Sequence, residues 1–250
     1  MGPLSGRIAL VTGASRGIGR AIALSLGQQG AQVIATGRTQ GALEELDDAI
    51  RAGGGLQVTL APMDLTDADG IDQLGLAVFE RHRRLDILVH AAGVLAHLRP
   101  VAQVPPEIWA RIMAVNLTAS YRLIRSLEPL LRASDCGRAV FLTCEQAREP
   151  KAFWGAYAAS KAGLEAMVHC WADETDNSVI RALLVDPGPV RSGLRHEAFP
   201  GEDKEALTDP AAIGAMVAAL LCEAEDPGPP RVLRFSDWRA SACAASPETP

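Results

Sequence analysis

No excess of positive charge runs through this chain: 24 Lys and Arg stand against 30 Asp and Glu, a formal net charge of −6. No global field therefore recruits nucleic acid or an anionic membrane. Long apolar runs are missing as well, and no segment reaches membrane-spanning length. Met1–Arg7 has neither the basic start nor the apolar core of a signal peptide. The five cysteines (Cys136, Cys144, Cys170, Cys222, Cys243) are scattered, odd in number and without metal-ligand spacing. They fit a reducing, cytoplasmic interior, and no metal site is indicated. Internal repeats and Ser/Gly linkers are absent too, so one domain over 1–250 is expected.

What is present has the composition of an ordinary globular protein, with 48% hydrophobic and 22% charged residues. Near-continuous apolar runs of strand length recur at Arg7–Thr12, Gln32–Thr36, Leu56–Ala61, Asp86–His90, Arg138–Thr143, Val179–Val185 and Arg231–Phe235. Such runs mark strands buried on both faces. Stretches with helical spacing lie between them, among them Gly17–Gln29, Gln40–Ala52, Pro105–Ala133 and Tyr157–Thr175. The alternation predicts an α/β fold: a Rossmann-like, doubly wound parallel sheet of about seven strands in three α/β/α layers. From Ser236 the chain is rich in small residues, and a loosely ordered tail over 236–250 is expected.

Directly after the first run comes T-G-A-S-R-G-I-G, Thr12 to Gly19. Glycines at 13, 17 and 19 allow a tight turn and close backbone approach, with a helix N-terminus behind them to hold a pyrophosphate. Gly13, Ser15, Arg16, Gly17, Ile18 and Gly19 are thus candidate cofactor residues. An acid for the ribose is expected about 20 residues on. The sequence there is A-T-G-R-T, with Arg38 and no acid. Arg16 and Arg38 suit a 2′-phosphate, which needs charge-assisted, bidentate donors. NADP(H) is therefore favoured over NAD(H); two solvated surface arginines are the alternative. Asp64, followed by Leu65, falls where a carboxylate could accept from the adenine amino group, or equally where it would cap the next helix.

Tyr157 and Lys161 are four apart at the start of a helical stretch and share one face. A phenol, with an ordinary pKa of about 10, is a poor acid or base at neutral pH. A neighbouring ammonium is expected to bring that pKa down. Such a pair can pass a proton to or from a carbonyl or alcohol oxygen while a nicotinamide carries hydride.

Together these motifs resemble the short-chain dehydrogenase/reductase family over nearly the whole chain. T-G-A-S-R-G-I-G is similar to its cofactor loop, and L-D-I-L-V-H-A-A-G to its fourth strand and N-A-G turn, which contributes Ala92 and Gly93. M-A-V-N places Asn116 at the family's helix asparagine, and Y-A-A-S-K carries the Tyr–Lys pair. D-P-G-P-V-R-S resembles the segment beside the nicotinamide, with Pro187, Gly188, Val190 and Ser192. The resemblance implies hydride transfer between a nicotinamide and a small carbonyl or alcohol substrate. Tyr157 would be the acid/base, Lys161 its support and a ribose ligand, and Asn116 a relay anchor for water and the lysine. It also implies a substrate lid over 191–209 and a homodimer or homotetramer built on the helices around Pro105–Ala133 and Tyr157–Thr175. No nucleic acid or membrane partner is implied.

Two residues are missing from the pattern. The family's substrate-polarising serine lies thirteen residues before the tyrosine, and this chain has Cys144 there. A thiol is a weaker donor than a hydroxyl. Thr143 could substitute only through a local bulge, and Glu145 could keep the thiol protonated or be a rim charge. Ala91 replaces the asparagine of the N-A-G turn, preceded by His90, most simply a hydrogen-bonded strand-end histidine. His97, in the loop beyond Gly93, is a candidate for substrate contact or an exposed loop residue. Phe153 and Trp154 are candidate pocket walls suited to an apolar or aromatic carbonyl. The rival to the enzyme is a catalytically degenerate nucleotide-binding sensor or scaffold.

Overall fold

The computed structural model describes residues 2–222 and 232–245. Seven strands form one sheet: β1 Ile8–Thr12, β2 Gln32–Gly37, β3 Thr59–Pro62, β4 Ile87–His90, β5 Arg138–Leu142, β6 Arg181–Asp186 and β7 Val232–Arg234. All pairs are parallel, in the order β3-β2-β1-β4-β5-β6-β7. The helices are α1 Gly17–Gln28, α2 Gln40–Ala52, α3 Ala68–His82, α4 Pro106–Met113, α5 Ala119–Arg132, α6 Gly155–Glu174, α7 Gly193–Ala198, α8 Pro210–Cys222 and α9 Phe235–Ala245. The chain order reverses between β1 and β4, which opens a crevice at the C-terminal strand ends where ligands bind in such sheets.

The continuous apolar runs serve both faces because side chains alternate across a strand. Ala9, Val11, Ile87, Val89, Val140, Leu142, Leu183 and Val185 pack with α1, α2 and α8 on one side. Leu10, Leu88, Ala139, Phe141, Ala182 and Leu184 pack with α3, α5 and α6 on the other. Helices α1 and α8 approach closely at Gly214, where a Cβ would stand 2.6 Å from the carbonyl oxygen of Ala21. At the opposite end from the crevice, fully buried Asp86 accepts from the Ile8 N–H at 2.8 Å and the Ser134 hydroxyl at 2.6 Å, locking β1 to β4 and the turn before β5.

Several expected boundaries shift. The third strand begins at Thr59 rather than Leu56, because Leu56 follows three glycines and is half exposed. The expected helix Pro105–Ala133 is three pieces, with a π-helical turn at Ala114–Thr118 between α4 and α5. The expected loose tail from Ser236 is instead helical as far as Ala245, where Phe235 is buried and stacks on Trp238 at 6.1 Å. Arg231 and residues 246–250 of the expected strand and tail lie outside the described residues. Among the described residues, no helix is long and apolar enough to cross a membrane.

Candidate active site

The glycine loop hugs the N-A-G-like turn. Gly13 has φ +68°, and a Cβ there would stand 2.8 Å from the backbone of Ala92. A Cβ on Gly19 would stand 2.3 Å from the carbonyl oxygen of Gly13, so the loop folds tightly over the start of α1. The fit to a dinucleotide is visible in unused polar groups. The Thr36 hydroxyl is buried without a partner on the cavity wall. Arg16 and Arg38 also line the cavity, and neither makes an ion pair with a described residue. Arg111 joins them at this end, a residue that carries no local motif.

Asp64 also lines the cavity, but its carboxylate accepts from the Thr66 N–H at 3.0 Å and the Thr66 hydroxyl at 2.9 Å. Those bonds, with Arg38 and Arg111 nearby, hold its pKa below the usual carboxylate value. The cap of α3 is Asp67, which accepts from the Gly70 N–H, so Asp64 is not the helix cap. Leu65, Ala92, Gly93, Pro187, Gly188, Val190 and Ser192 complete the same wall. Ser192 additionally caps α7, accepting from the Arg195 N–H at 3.2 Å.

At the far end of this cavity Cys144, Tyr157 and Lys161 come together. Cys144 packs against the buried cluster that holds Tyr157, Trp154 and Leu95. Cys144, half-buried, precedes a 3-10 turn, Glu145–Ala147, in which the Ala147 N–H donates to the Cys144 carbonyl oxygen at 3.1 Å. Gln146 lines the cavity beside it, a residue without any pattern to betray it. Burial pushes the thiol pKa up, aided by Asp186 and opposed by Lys161. Glu145 is not among the causes: it lies half exposed opposite Lys151. Thr143 also lines the cavity, but its hydroxyl is committed to Glu165, donating to it at 2.5 Å.

The ammonium of Lys161 donates to the carbonyl oxygen of Leu142 at 2.8 Å and lies 5.9 Å from the Tyr157 ring centre. The expected depression of the phenol pKa is not found. Burial, then Cys144 and Asp186, hold the phenol pKa well above its usual value, and burial lowers that of Lys161. Removing an ionised phenolate from water costs more here than the ammonium returns.

Asn116 does not line the cavity; it acts from behind it. Its amide exchanges two 2.9 Å hydrogen bonds with the Val94 backbone and donates to the Ser160 hydroxyl at 3.0 Å. The π turn, with its extra residue, aims this side chain inward. A Cβ at Gly93 would meet Asn116 Oδ1 at 3.6 Å and Lys161 Nζ at 4.0 Å, so both polar ends flank one point.

Trp154 is buried against Tyr157 and against Phe199 of the 191–209 segment, with ring centres 5.8 and 5.9 Å apart. Leu194, Arg195 and Ala198 of α7 line the cavity beside it. Phe153, at φ +74° and 56% exposed, is turned away from this cavity and instead lines a small cleft with His97 behind Trp154 and Tyr157. His90 is fully buried, with Nδ1 2.9 Å from the Thr12 hydroxyl. Burial drives its pKa down to about 3, so it is a neutral structural group.

The family model for short chain dehydrogenases matches residues 7–203. The chain belongs to the short-chain dehydrogenase family. It is 38% identical over 212 residues to the uncharacterized oxidoreductase YciK of Escherichia coli K12, covering 84% of each protein. A short chain dehydrogenase from Shigella flexneri 2a, complexed with NADP, superposes with a TM-score of 0.89 at 34% identity, over 93% of this chain and 98% of the other. One from E. coli CFT073, complexed with NADPH, superposes with a TM-score of 0.84 at 37% identity, over 87% and 91%. This short-chain dehydrogenase is therefore an oxidoreductase by family, with Cys144 thirteen residues before Tyr157.

Proposed function

We propose that the chain is an NADP(H)-dependent oxidoreductase acting on a carbonyl/alcohol pair. The observation that carries this is the convergence of the Tyr157 hydroxyl, the Cys144 thiol and Lys161 at one end of the cavity that the glycine loop opens. Arg16 and Arg38 at the other end support a 2′-phosphate, as do the NADP-bound neighbours. Gly13, Ser15, Arg16, Gly17, Ile18 and Gly19 would hold the pyrophosphate end, with Arg38, Asp64 and Leu65 at the adenosine. Ala92, Gly93, Pro187, Gly188, Val190 and Ser192 would line the remainder. A bound NADPH supplies the hydride.

Everything else is the work of side chains. Tyr157, kept protonated by burial, gives its proton to the oxygen of a carbonyl being reduced. Cys144, packed beside Tyr157 on the same cavity, offers a second and weaker donor to that oxygen. Lys161, fixed on Leu142, presents positive charge where negative charge develops, and Asn116 holds the Gly93–Val94 backbone and Ser160 in place. Trp154 and the lid residues Leu194 and Ala198 make an apolar wall suited to an apolar or aromatic carbonyl compound. Exposed Trp109 and Tyr121 on α4 and α5 support pairing of two copies through those helices.

The test is NADPH consumption over a panel of apolar and aromatic carbonyl compounds. Turnover by the wild type, falling on the order of 10²–10⁴-fold in Tyr157→Phe with NADPH binding retained, is expected. Cys144 favours the rival reading of a nucleotide sensor. Tight NADPH binding with no turnover of any carbonyl would support that rival.

A further inference from the structure

Behind the site one guanidinium holds two carboxylates. Arg148 closes the 3-10 turn that follows Cys144. Its Nη1 donates to Glu165 on α6, and its Nη2 donates to Asp186 at the end of β6. These carboxylates are only 8% and 6% exposed, so each needs a partner. Glu165 also accepts from Thr143, so both flanks of Cys144, Thr143 and Arg148, are drawn to one carboxylate. Glu165 lies one helical turn beyond Lys161. Asp186 also accepts from the Gly188 N–H at 3.1 Å and shapes the Pro187–Gly188 turn on the cavity wall. None of Arg148, Glu165 and Asp186 lines the cavity itself.

We propose that Arg148 is a positioning residue whose guanidinium fork clamps the Cys144 turn, the Tyr157–Lys161 helix and the Pro187–Gly188 turn into one arrangement. The fork is the reason for an arginine: a lysine ammonium is a point charge and does not reproduce two planar contacts. Its charge matters beyond the clamp. The groups facing the thiol are Tyr157 and Lys161 from α6 and Asp186 from β6, with Glu145 on its own turn and Arg195 of α7 on the same cavity. Asp186 disfavours ionisation of both Cys144 and Tyr157, and Arg148 is the cation paired with that carboxylate. The effect on turnover rests on the oxidoreductase reading; the effect on the thiol does not.

The experiment compares wild type, Arg148→Met and Arg148→Lys in two readouts. One is kcat and KM for NADPH. The other is the pH profile of Cys144 alkylation by iodoacetamide, mapped by peptide mass spectrometry with exposed Cys170 as the internal reference. Arg148→Met should lower kcat on the order of 10- to 100-fold, with KM for NADPH near that of the wild type. It should also move Cys144 alkylation to higher pH and leave Cys170 unmoved. Arg148→Lys should restore the alkylation profile but only part of kcat. Mere loosening would speed alkylation at every pH without moving the profile. An Arg148→Met profile that matches the wild type overturns the proposal; if that variant does not fold, Arg148→Gln is held to the same outcome. A wild type that turns over no carbonyl overturns the oxidoreductase reading instead, and the alkylation profile still decides the role of Arg148.

Discussion

Lys161 donates to the carbonyl oxygen of Leu142 at 2.8 Å, two residues before Cys144. This bond ties the helix that carries Tyr157 to the end of the strand that leads into Cys144. It fixes the Cys144–Tyr157 contact in register, because a side chain on α6 and the end of β5 cannot slide past one another while it holds. The ammonium is anchored on backbone rather than on the phenol.

Cys144→Ser should raise kcat on the order of tenfold or more, since a hydroxyl replaces a weak thiol donor at the same place. KM for NADPH should stay unchanged. Steady-state kinetics on the best carbonyl substrate measures both. A serine variant slower than the wild type would mean that the thiol is not a weakened polariser.

The buried phenol sets the pH dependence. Its pKa is pushed well above the usual value, so Tyr157 stays protonated through neutral pH. Carbonyl reduction, which uses the O–H, should be flat across neutral pH and decline only above about 10. Alcohol oxidation, which needs the phenolate, should keep rising with pH over the same range. Rate profiles in the two directions check this, and a reductive rate that falls between neutrality and mildly alkaline pH would contradict it.

Arg38→Ala should weaken NADPH binding on the order of 10- to 100-fold, the loss expected for a charge-assisted contact. NADH binding should barely change. Fluorescence titration with both nucleotides gives the two constants. Equal losses for NADPH and NADH would remove Arg38 from the 2′-phosphate.

His90 makes stability fall with acidity. Its pKa is about 3 in the folded protein against about 6.5 when unfolded. The unfolded chain therefore binds the extra proton as pH falls below the unfolded value. This contribution is fully present above about 6.5 and is lost progressively down to about 3. His90→Asn should be less stable than the wild type at neutral pH, through lost packing against Phe141, yet lose less on acidification. Urea unfolding at neutral pH and near pH 5 measures the difference, and parallel losses would refute it.

Much of this could be read from local pattern. The double-faced apolar runs, the glycine loop and the Tyr–Lys spacing each depend on residues close in the chain, and all the expected cofactor residues reach one cavity. The small residues from Ser236 misled, because a helix such as α9 is stabilised by packing that composition does not reveal. Phe153 misled in the same way: adjacent to Trp154 in the chain, it faces outward because its backbone takes the left-handed region. Arg111 and Gln146 carry no motif and are drawn to the cavity only by the folded path of the chain.

The doubly wound sheet, the glycine loop after the first strand and Cys144 thirteen residues before Tyr157 are all legible along the chain. Those are matters of order and spacing. Tertiary structure alone decided that Lys161 grips Leu142, that Tyr157 is held protonated, and that Arg148 spans Glu165 and Asp186. Each of these depends on burial and on charges contributed by segments far apart in the chain. Desolvation and Coulomb energies vary with three-dimensional distance, which the linear order of residues does not contain.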